Sequence, residues 1–79
     1  MLPNLLGNVP DWIKLKKIAN KYKLILIEDS ADTLGATLNG KSSGAYTDMS
    51  ITSFYGSHII NCAGNGGELA INNKEVIVI

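Results

Sequence analysis

The sequence contains no arginine and has no net charge, because its seven lysines balance seven acidic residues. Without a basic excess, the chain has no global electrostatic reason to bind nucleic acid. Its single cysteine, Cys62, cannot form an internal disulfide, which is typical of a reducing compartment. No apolar stretch approaches the roughly 18 residues of a membrane span, and the first residues lack the features of a signal peptide. These absences predict a cytoplasmic chain with neither nucleic acid nor membrane as a partner.

The length and composition indicate a folded chain with a limited core. Of the 79 residues, 46% are hydrophobic and 18% are charged, which is more apolar than a disordered segment would be. The length allows one small domain at most, and a chain of this size buries only about 60% of its unfolded surface. We therefore expect part of its apolar surface to pack against something else.

A helix is predicted after residues 8–11, where asparagine can cap, proline is tolerated in the first turn and aspartate suits the positive end of the helix dipole. Apolar residues then recur at three- and four-residue spacing from Trp12 to Tyr22. Five of the seven lysines lie between Lys14 and Lys23, which indicates a solvated helix surface.

Strands are predicted in the remainder of the chain. Residues 24–27 form a continuous apolar run, typical of a parallel strand covered on both faces. Residues 28–30 would then lie at its carboxyl end, the edge where open α/β sheets bind ligands. The pair Asn39-Gly40 predicts a hairpin, and residues 49–54 and 68–72 predict two further strands.

The order of these elements predicts an α/β fold with a mostly parallel sheet flanked by helices. One helix cannot cover both faces of several buried strands, so the pattern corresponds to the middle of such a sheet. The apolar run over residues 76–79 favours the same interpretation. We expect residues 1–79 to be an incomplete part of a larger domain.

Polar residues converge at the carboxyl ends of the predicted strands, with Asp29 after the first strand, Ser53 ending the second and His58 a few residues later. A buried carboxylate at a strand end needs a cationic partner, and the sequence offers no arginine. Three segments resemble successive motifs of the DegT/DnrJ/EryC1/StrS sugar aminotransferase family, which has the fold of aspartate aminotransferase. They are residues 27–35 (IEDSADTLG), 48–54 (DMSITSF) and 64–67 (GNGG).

The resemblance implies that the chain belongs to the large domain of a fold-type I enzyme that binds pyridoxal phosphate. Asp29 matches the family's aspartate that holds the protonated pyridine nitrogen, and this would supply the missing cation. Ser53 matches the serine that binds the cofactor phosphate. Asp32 lies where the transaminases usually have a glutamine near the phenolic oxygen of the ring, so that contact must differ here.

The main departure from the family pattern is at His58. Family transaminases have, five residues after the phosphate-binding serine, the lysine that bonds covalently to the cofactor. The stretch up to the glycine cluster is one residue longer than usual, so counting back from the glycines would place the lysine position at Ile59. Neither count gives a lysine, because none occurs between Lys41 and Lys74.

Histidine at this position resembles the branch of the family that includes CDP-4-keto-6-deoxy-D-glucose 3-dehydrase. That branch uses pyridoxamine phosphate to remove a sugar hydroxyl, and imidazole suits the proton transfer because it exchanges protons near neutral pH. The resemblance implies His58 as the base, a nucleotide-sugar substrate and a homodimer in the full-length enzyme. It also implies a role in deoxysugar synthesis for lipopolysaccharide or O-antigen. No metal is expected, since one cysteine cannot hold the iron–sulfur cluster of some dehydrases.

Two alternatives remain open from the sequence. The first is a sugar-nucleotide aminotransferase of the same family, and the second is an inactive remnant of a truncated reading frame. By the resemblance, the site also needs residues from a partner subunit and from segments upstream of this sequence. We therefore expect the 79-residue chain by itself to be inactive and poorly folded.

Overall fold

The fold is a four-stranded sheet with one α-helix and a separate two-stranded hairpin. A computed structural model describes residues 1–58, 60 and 62–76. The alternative lysine position at Ile59 and the end of the apolar run over residues 76–79 lie outside the described residues. The regular elements are β1 (Leu2–Pro3), α1 (Trp12–Tyr22), β2 (Ile27–Asp29), β3 (Thr37–Leu38), β4 (Lys41–Ser42), β5 (Met49–Ser53) and β6 (Gly67–Ile71).

The main sheet has the strand order β1-β2-β5-β6. The strands β1, β2 and β5 are parallel to one another, and β6 runs antiparallel to β5. Asp29 at the end of β2 pairs with Ile51 of β5, and Ser53 at the end of β5 pairs with Gly67 of β6. The predicted α/β class with a mostly parallel sheet is confirmed. The strand β1 was not predicted, because two residues carry no periodic signal.

The helix α1 spans Trp12–Tyr22, as the apolar spacing predicts. Its N-cap is Asp11, whose Oδ1 accepts the backbone N–H of Lys14 at 3.1 Å. Asn8, the capping residue suggested by the sequence, lies outside the helix. The helix ends at Lys23, which has a left-handed backbone (φ 55°) and whose N–H returns to the last helical carbonyls.

The prediction of a strand over residues 24–27 is wrong in its position. Strand β2 begins only at Ile27 and includes Glu28 and Asp29, whereas Leu24 and Ile25 are 59% and 55% exposed. The N–H of Leu24 donates to the carbonyl of Ala19 at 2.8 Å, so this part of the apolar run closes the helix and does not join the sheet.

The described core is small and lies between α1 and one face of the sheet. Trp12, Ala19 and Leu26 are its buried members. Partly buried apolar residues pack around them: Val9, Leu15, Leu38 and Tyr46. On the opposite face of the sheet, Leu69 and Ile71 are 53% and 40% exposed, so the described residues leave that face incompletely covered.

The predicted hairpin and the two later strands are confirmed. Strands β3 and β4 pair antiparallel around Asn39 and Gly40, whose φ angles are 51° and 78°. Both values are left-handed, as a two-residue hairpin turn requires. None of the helices in the described part of the chain has the length and apolar character needed to cross a membrane.

Candidate functional site

The parallel strands β2 and β5 end at the same edge of the sheet. Asp29 is the last residue of β2, and Ser53 is the last residue of β5. Because Asp29 pairs with Ile51, Ser53 lies two positions further along, roughly 6.6 Å in the strand direction. Side chains alternate between faces along a strand, so Asp29, Ile51 and Ser53 share one face. The structure therefore brings Asp29 and Ser53 to one edge and one face.

Asp29 is half-buried, and its backbone and side chain are both fixed. Its carbonyl accepts the N–H of Asn4 at 2.9 Å. Its Oδ1 accepts the N–H of Ala31 at 3.1 Å, which closes a turn directly after β2. Among the residues that the structure describes, the second oxygen, Oδ2, makes no hydrogen bond. A carboxylate held in this way can accept a hydrogen bond from a cationic N–H group.

Ser53 is also half-buried at the end of its strand. Its Oγ accepts the backbone N–H of Tyr55 at 3.2 Å, which leaves the hydroxyl proton to donate elsewhere. A hydroxyl oriented by its own backbone in this manner suits an anionic oxygen such as that of a phosphate.

Asp32 and His58 lie on the two loops that follow β2 and β5. The backbone N–H of His58 donates to the carbonyl of Tyr55 at 2.9 Å, which closes a turn in the loop after β5. The Nδ1 atom of His58 lies 3.6 Å from Oδ1 of Asp32, with the two side chains 25% and 43% exposed. The Tyr55 ring contacts the imidazole edge-on, at 6.5 Å between ring centroids.

A cavity of about 60 Å³ lies between the loop after β2 and the end of β5, and Asp32 and Ser53 both border it. A second cavity, of about 320 Å³, is lined by Glu28, Ser50 and Glu68 among others. Because these residues alternate with Asp29 and Ser53 along their strands, the larger cavity belongs to the other face of the sheet. None of the site residues predicted from the sequence lines it.

Sequence reasoning missed a buried polar network around Glu28. This residue is 1% exposed, and its Oε1 accepts hydrogen bonds from Asn4 Nδ2 and Ser43 Oγ. Its Oε2 accepts the hydroxyl of Ser50 at 2.7 Å. The indole N–H of Trp12 donates to Asn4 Oδ1 at 3.1 Å, which extends the network to the helix. Its members are distant in sequence, so no local pattern signals it.

A second missed residue is Asp48, which ties the helix to the sheet. Its Oδ2 accepts the N–H of Leu26 at 2.8 Å, and its Oδ1 accepts Lys16 Nζ at 2.9 Å and Asn73 Nδ2 at 3.1 Å. Burial acts to raise the pKa of Asp48, but the hydrogen bonds from Leu26, Lys16 and Asn73 and the charge of Lys16 outweigh it. The pKa of Asp48 therefore lies below its ordinary value.

Comparison with known protein families gives one match that spans nearly the whole chain. The model of the DegT/DnrJ/EryC1/StrS aminotransferase family matches residues 1–78. The matched residues include strands β2 and β5, which carry Asp29 and Ser53, and the loops that follow these strands.

Two curated relatives show how similar this chain is to known proteins and how much of each protein it covers. The lipopolysaccharide biosynthesis protein RfbH of Salmonella typhimurium is 38% identical over 76 residues, which cover 96% of this chain and 17% of that protein. The dTDP-4-dehydro-2,6-dideoxy-D-glucose 3-dehydratase of Saccharopolyspora spinosa is 37% identical over 76 residues, covering 96% of this chain and 16% of that enzyme. The chain thus spans about a fifth or less of the length of these relatives.

Solved structures share the fold. An aminotransferase from Psychrobacter cryohalolentis superimposes with a TM-score of 0.85 and 32% identity, covering 92% of this chain and 18% of that one. NtdA from Bacillus subtilis, solved with bound pyridoxamine phosphate, gives a TM-score of 0.79 and 33% identity, covering 92% of this chain and 16% of that one. The architecture described above is therefore part of an aminotransferase fold.

Proposed function

This chain belongs to the DegT/DnrJ/EryC1/StrS aminotransferase family, and on that premise we propose that residues 1–79 form part of the cofactor-binding domain of a sugar-nucleotide 3-dehydrase. The relatives of this chain include both a dTDP-sugar 3-dehydratase and a dTDP-sugar transaminase. Membership of the family does not by itself distinguish dehydration from transamination. The choice between the two reactions therefore rests on the residues of this chain.

The polar groups at the sheet edge suit the cofactor of this family, whose aminotransferases use pyridoxal or pyridoxamine phosphate. Asp29 has a carboxylate oxygen without a hydrogen bond among the described residues, and this oxygen would hold the protonated ring nitrogen. Ser53 has a hydroxyl proton to donate, and it would bind the phosphate. Asp32 borders the small cavity beside Ser53 and would lie next to the ring.

The observation that carries the proposal is the imidazole of His58 in the loop after β5, where the family's transaminases have lysine. When bound, pyridoxamine phosphate supplies an amine for the keto sugar and a ring that accepts the electrons released with a proton. His58 would be the base that takes that proton at the amine-bearing carbon, while the sugar would lose the hydroxyl of its neighbouring carbon as hydroxide. Imidazole cannot bond covalently to the cofactor as lysine does, so the cofactor stays dissociable.

The substrate and the setting follow from the same proposal. The substrate is a nucleotide-linked 4-keto-6-deoxyhexose, by analogy with the 3-dehydratase relative. The similarity to RfbH supports a role in lipopolysaccharide or O-antigen synthesis. The full-length enzyme would be a cytoplasmic homodimer that needs no metal.

The test is borohydride reduction of the longer polypeptide that carries this chain, followed by mass spectrometry of the protein. For the wild type we expect no covalent attachment of cofactor and formation of the 3-deoxy sugar. The His58→Lys variant should gain covalent attachment and lose the 3-deoxy product, while His58→Gln should lose the product without attachment. Cofactor fixed to the wild-type protein would favour the aminotransferase. Unchanged deoxygenation by His58→Gln would rule out the proposed base.

A further inference from the structure

Asn4 follows the short strand β1 and is joined through its backbone to Asp29. Strand β1 pairs parallel with β2, and Pro3 lies opposite Asp29 in that register. The N–H of Asn4 donates to the carbonyl of Asp29 at 2.9 Å, which continues the ladder one residue beyond β1. The end of β2 is therefore held by Asn4 on one side and by β5 on the other.

The side chain of Asn4 is fixed by two buried partners. The indole N–H of Trp12 donates to Asn4 Oδ1 at 3.1 Å, and Asn4 Nδ2 donates to Glu28 Oε1. An indole N–H can only donate, and the carboxyl oxygen accepts, so the two bonds define one orientation of the amide. Trp12 is 0% exposed, and Asn4 and Glu28 are each 1% exposed, so the three groups are shielded from solvent.

The segment that carries Asn4 has few other attachments. Within residues 1–7, all of which the structure describes, Asn4 is the one buried residue. Leu5 and Leu6, which follow it, are 58% and 83% exposed. Strand β1 has only two residues and so contributes few ladder bonds of its own. The side chain of Asn4 is therefore the main contact that keeps its backbone N–H on Asp29.

Asn4 can influence a bound cofactor only through Asp29. Side chains alternate between faces along a strand, and the Asn4 side chain bonds to Glu28, so it lies on the face opposite the Asp29 carboxylate. The Oδ1 atom of Asp29 is fixed by the N–H of Ala31 at 3.1 Å. Because Asn4 fixes the backbone carbonyl of the same residue, the direction of Oδ2 depends on both bonds. A hydrogen bond between charged groups requires such alignment.

We propose that Asn4 is a positioning residue for Asp29: its side chain, held by two buried partners, aligns the Asp29 carboxylate with the protonated ring nitrogen of the cofactor. The proposal rests on the cofactor role that the proposed function gives to Asp29. It applies to dehydration and transamination alike, since both use the ring to accept electrons. Loss of the Asn4 side chain weakens the bond to the ring nitrogen and spares the phosphate contact, because Ser53 lies on another strand.

The test compares two cofactors on the longer polypeptide that carries this chain. They are pyridoxamine phosphate and its carbocyclic analogue, in which a C–H group replaces the ring nitrogen. The analogue cannot bond to Asp29, so the ratio of its dissociation constant to that of pyridoxamine phosphate, measured by calorimetric titration, reports this one bond. Both constants come from the same protein, so a loss of overall stability cancels in the ratio. For the wild type we expect a ratio of at least about ten, typical of a hydrogen bond between charged groups.

Two variants loosen the side chain of Asn4. Asn4→Ala removes both of its side-chain bonds and should lower the ratio about fivefold, while the dissociation constant of the analogue stays within about twofold of the wild type. Trp12→Phe removes only the indole N–H, keeps an aromatic ring in the core and should lower the ratio in the same direction. Asp48→Asn is the control. It breaks a different buried network, beside the start of β5, and should lower stability without changing the ratio.

Asp29→Asn is the reference variant and should bring the ratio close to about one. If it leaves the ratio unchanged, both the cofactor role of Asp29 and the positioning role of Asn4 are overturned. If the ratio falls in Asp29→Asn but not in Asn4→Ala, only the positioning role fails.

A purely structural role for Asn4 predicts a different result. Both cofactors would then bind equally weakly, or not at all, in Asn4→Ala and Trp12→Phe, and this outcome overturns the proposal. An equal fall of the ratio in Asp48→Asn overturns it as well. The borohydride experiment decides between dehydration and transamination and can give either result without changing this ratio.

Discussion

Glu28 and Asp29 are consecutive residues of β2, yet their carboxylates occupy opposite faces of the sheet and differ in their partners. Glu28 is 1% exposed and accepts hydrogen bonds from three neutral side chains. Asp29 is half-buried and keeps one oxygen without a hydrogen bond among the described residues. Because the two residues share one short strand, the bonds that fix Glu28 also fix the position from which Asp29 faces the candidate site.

The first prediction concerns the network around Glu28. Glu28→Gln replaces an acceptor oxygen by an amide that donates, so one of the surrounding donors loses its partner in a buried place. An unsatisfied buried donor costs about 1–3 kcal/mol, and we expect the free energy of unfolding to fall by that amount. Urea unfolding of the longer polypeptide that carries this chain, followed by tryptophan fluorescence, measures it. Exposed Glu75→Gln is the control and should change the value by less than about 0.5 kcal/mol.

A second prediction follows from the lowered pKa of Asp48. A carboxyl whose pKa is lower in the folded state contributes stability above its unfolded pKa, about 3.9, and loses that contribution as the pH falls through the folded value. The wild type should therefore be more stable than Asp48→Asn at neutral pH, by about 1.5–3 kcal/mol.

The difference between wild type and Asp48→Asn should narrow as the pH falls below about 4, because the wild-type carboxyl is then protonated as well. Urea unfolding of both proteins from neutral to acid pH measures this difference, in which the other carboxyls cancel. A difference that stayed constant down to about pH 2 would show that Asp48 does not act through its charge.

The third prediction concerns the turn between β3 and β4. Gly40 has φ 78°, a conformation that costs a residue with a side chain about 1 kcal/mol or more. Gly40→Ala should lower the free energy of unfolding by that amount, although no atom lies within 4 Å of the added methyl group. Gly56, whose φ is not left-handed and whose Cβ position is also open, provides the control. Equal effects at both glycines would contradict the conformational explanation.

The sequence predicted elements whose signals are local. The apolar spacing of α1, the Asn39-Gly40 turn and the strands β5 and β6 all depend on neighbours within a few residues, and each was found where expected. The rule that ligands gather at the carboxyl ends of parallel strands also anticipated that Asp29 and Ser53 share one edge. Their roles toward a cofactor remain predictions.

The sequence could not predict what depends on distant partners. A strand was expected to end before Glu28 because burying a carboxylate is costly. The cost is offset here by donors from Asn4, Ser43 and Ser50, which lie 15 to 24 residues away in the chain. The contact between Asp32 and His58 is likewise non-local and depends on the parallel pairing of β2 with β5.

The last prediction tests Asp29 in the longer polypeptide that carries this chain. Asp29→Asn keeps the size of the side chain but removes the charge that would hold the ring nitrogen protonated. We expect the rate of deoxygenation to fall by at least about 100-fold, with the visible absorption of the bound cofactor shifted, because a neutral ring accepts electrons poorly. Asp11→Asn removes a charge at the exposed cap of α1 and is the control. Its rate of deoxygenation and its cofactor absorption should stay near those of the wild type. A variant at Asp29 with unchanged absorption and rate would mean that another group holds the ring nitrogen, and the assignment of this sheet edge to the cofactor would fail with it.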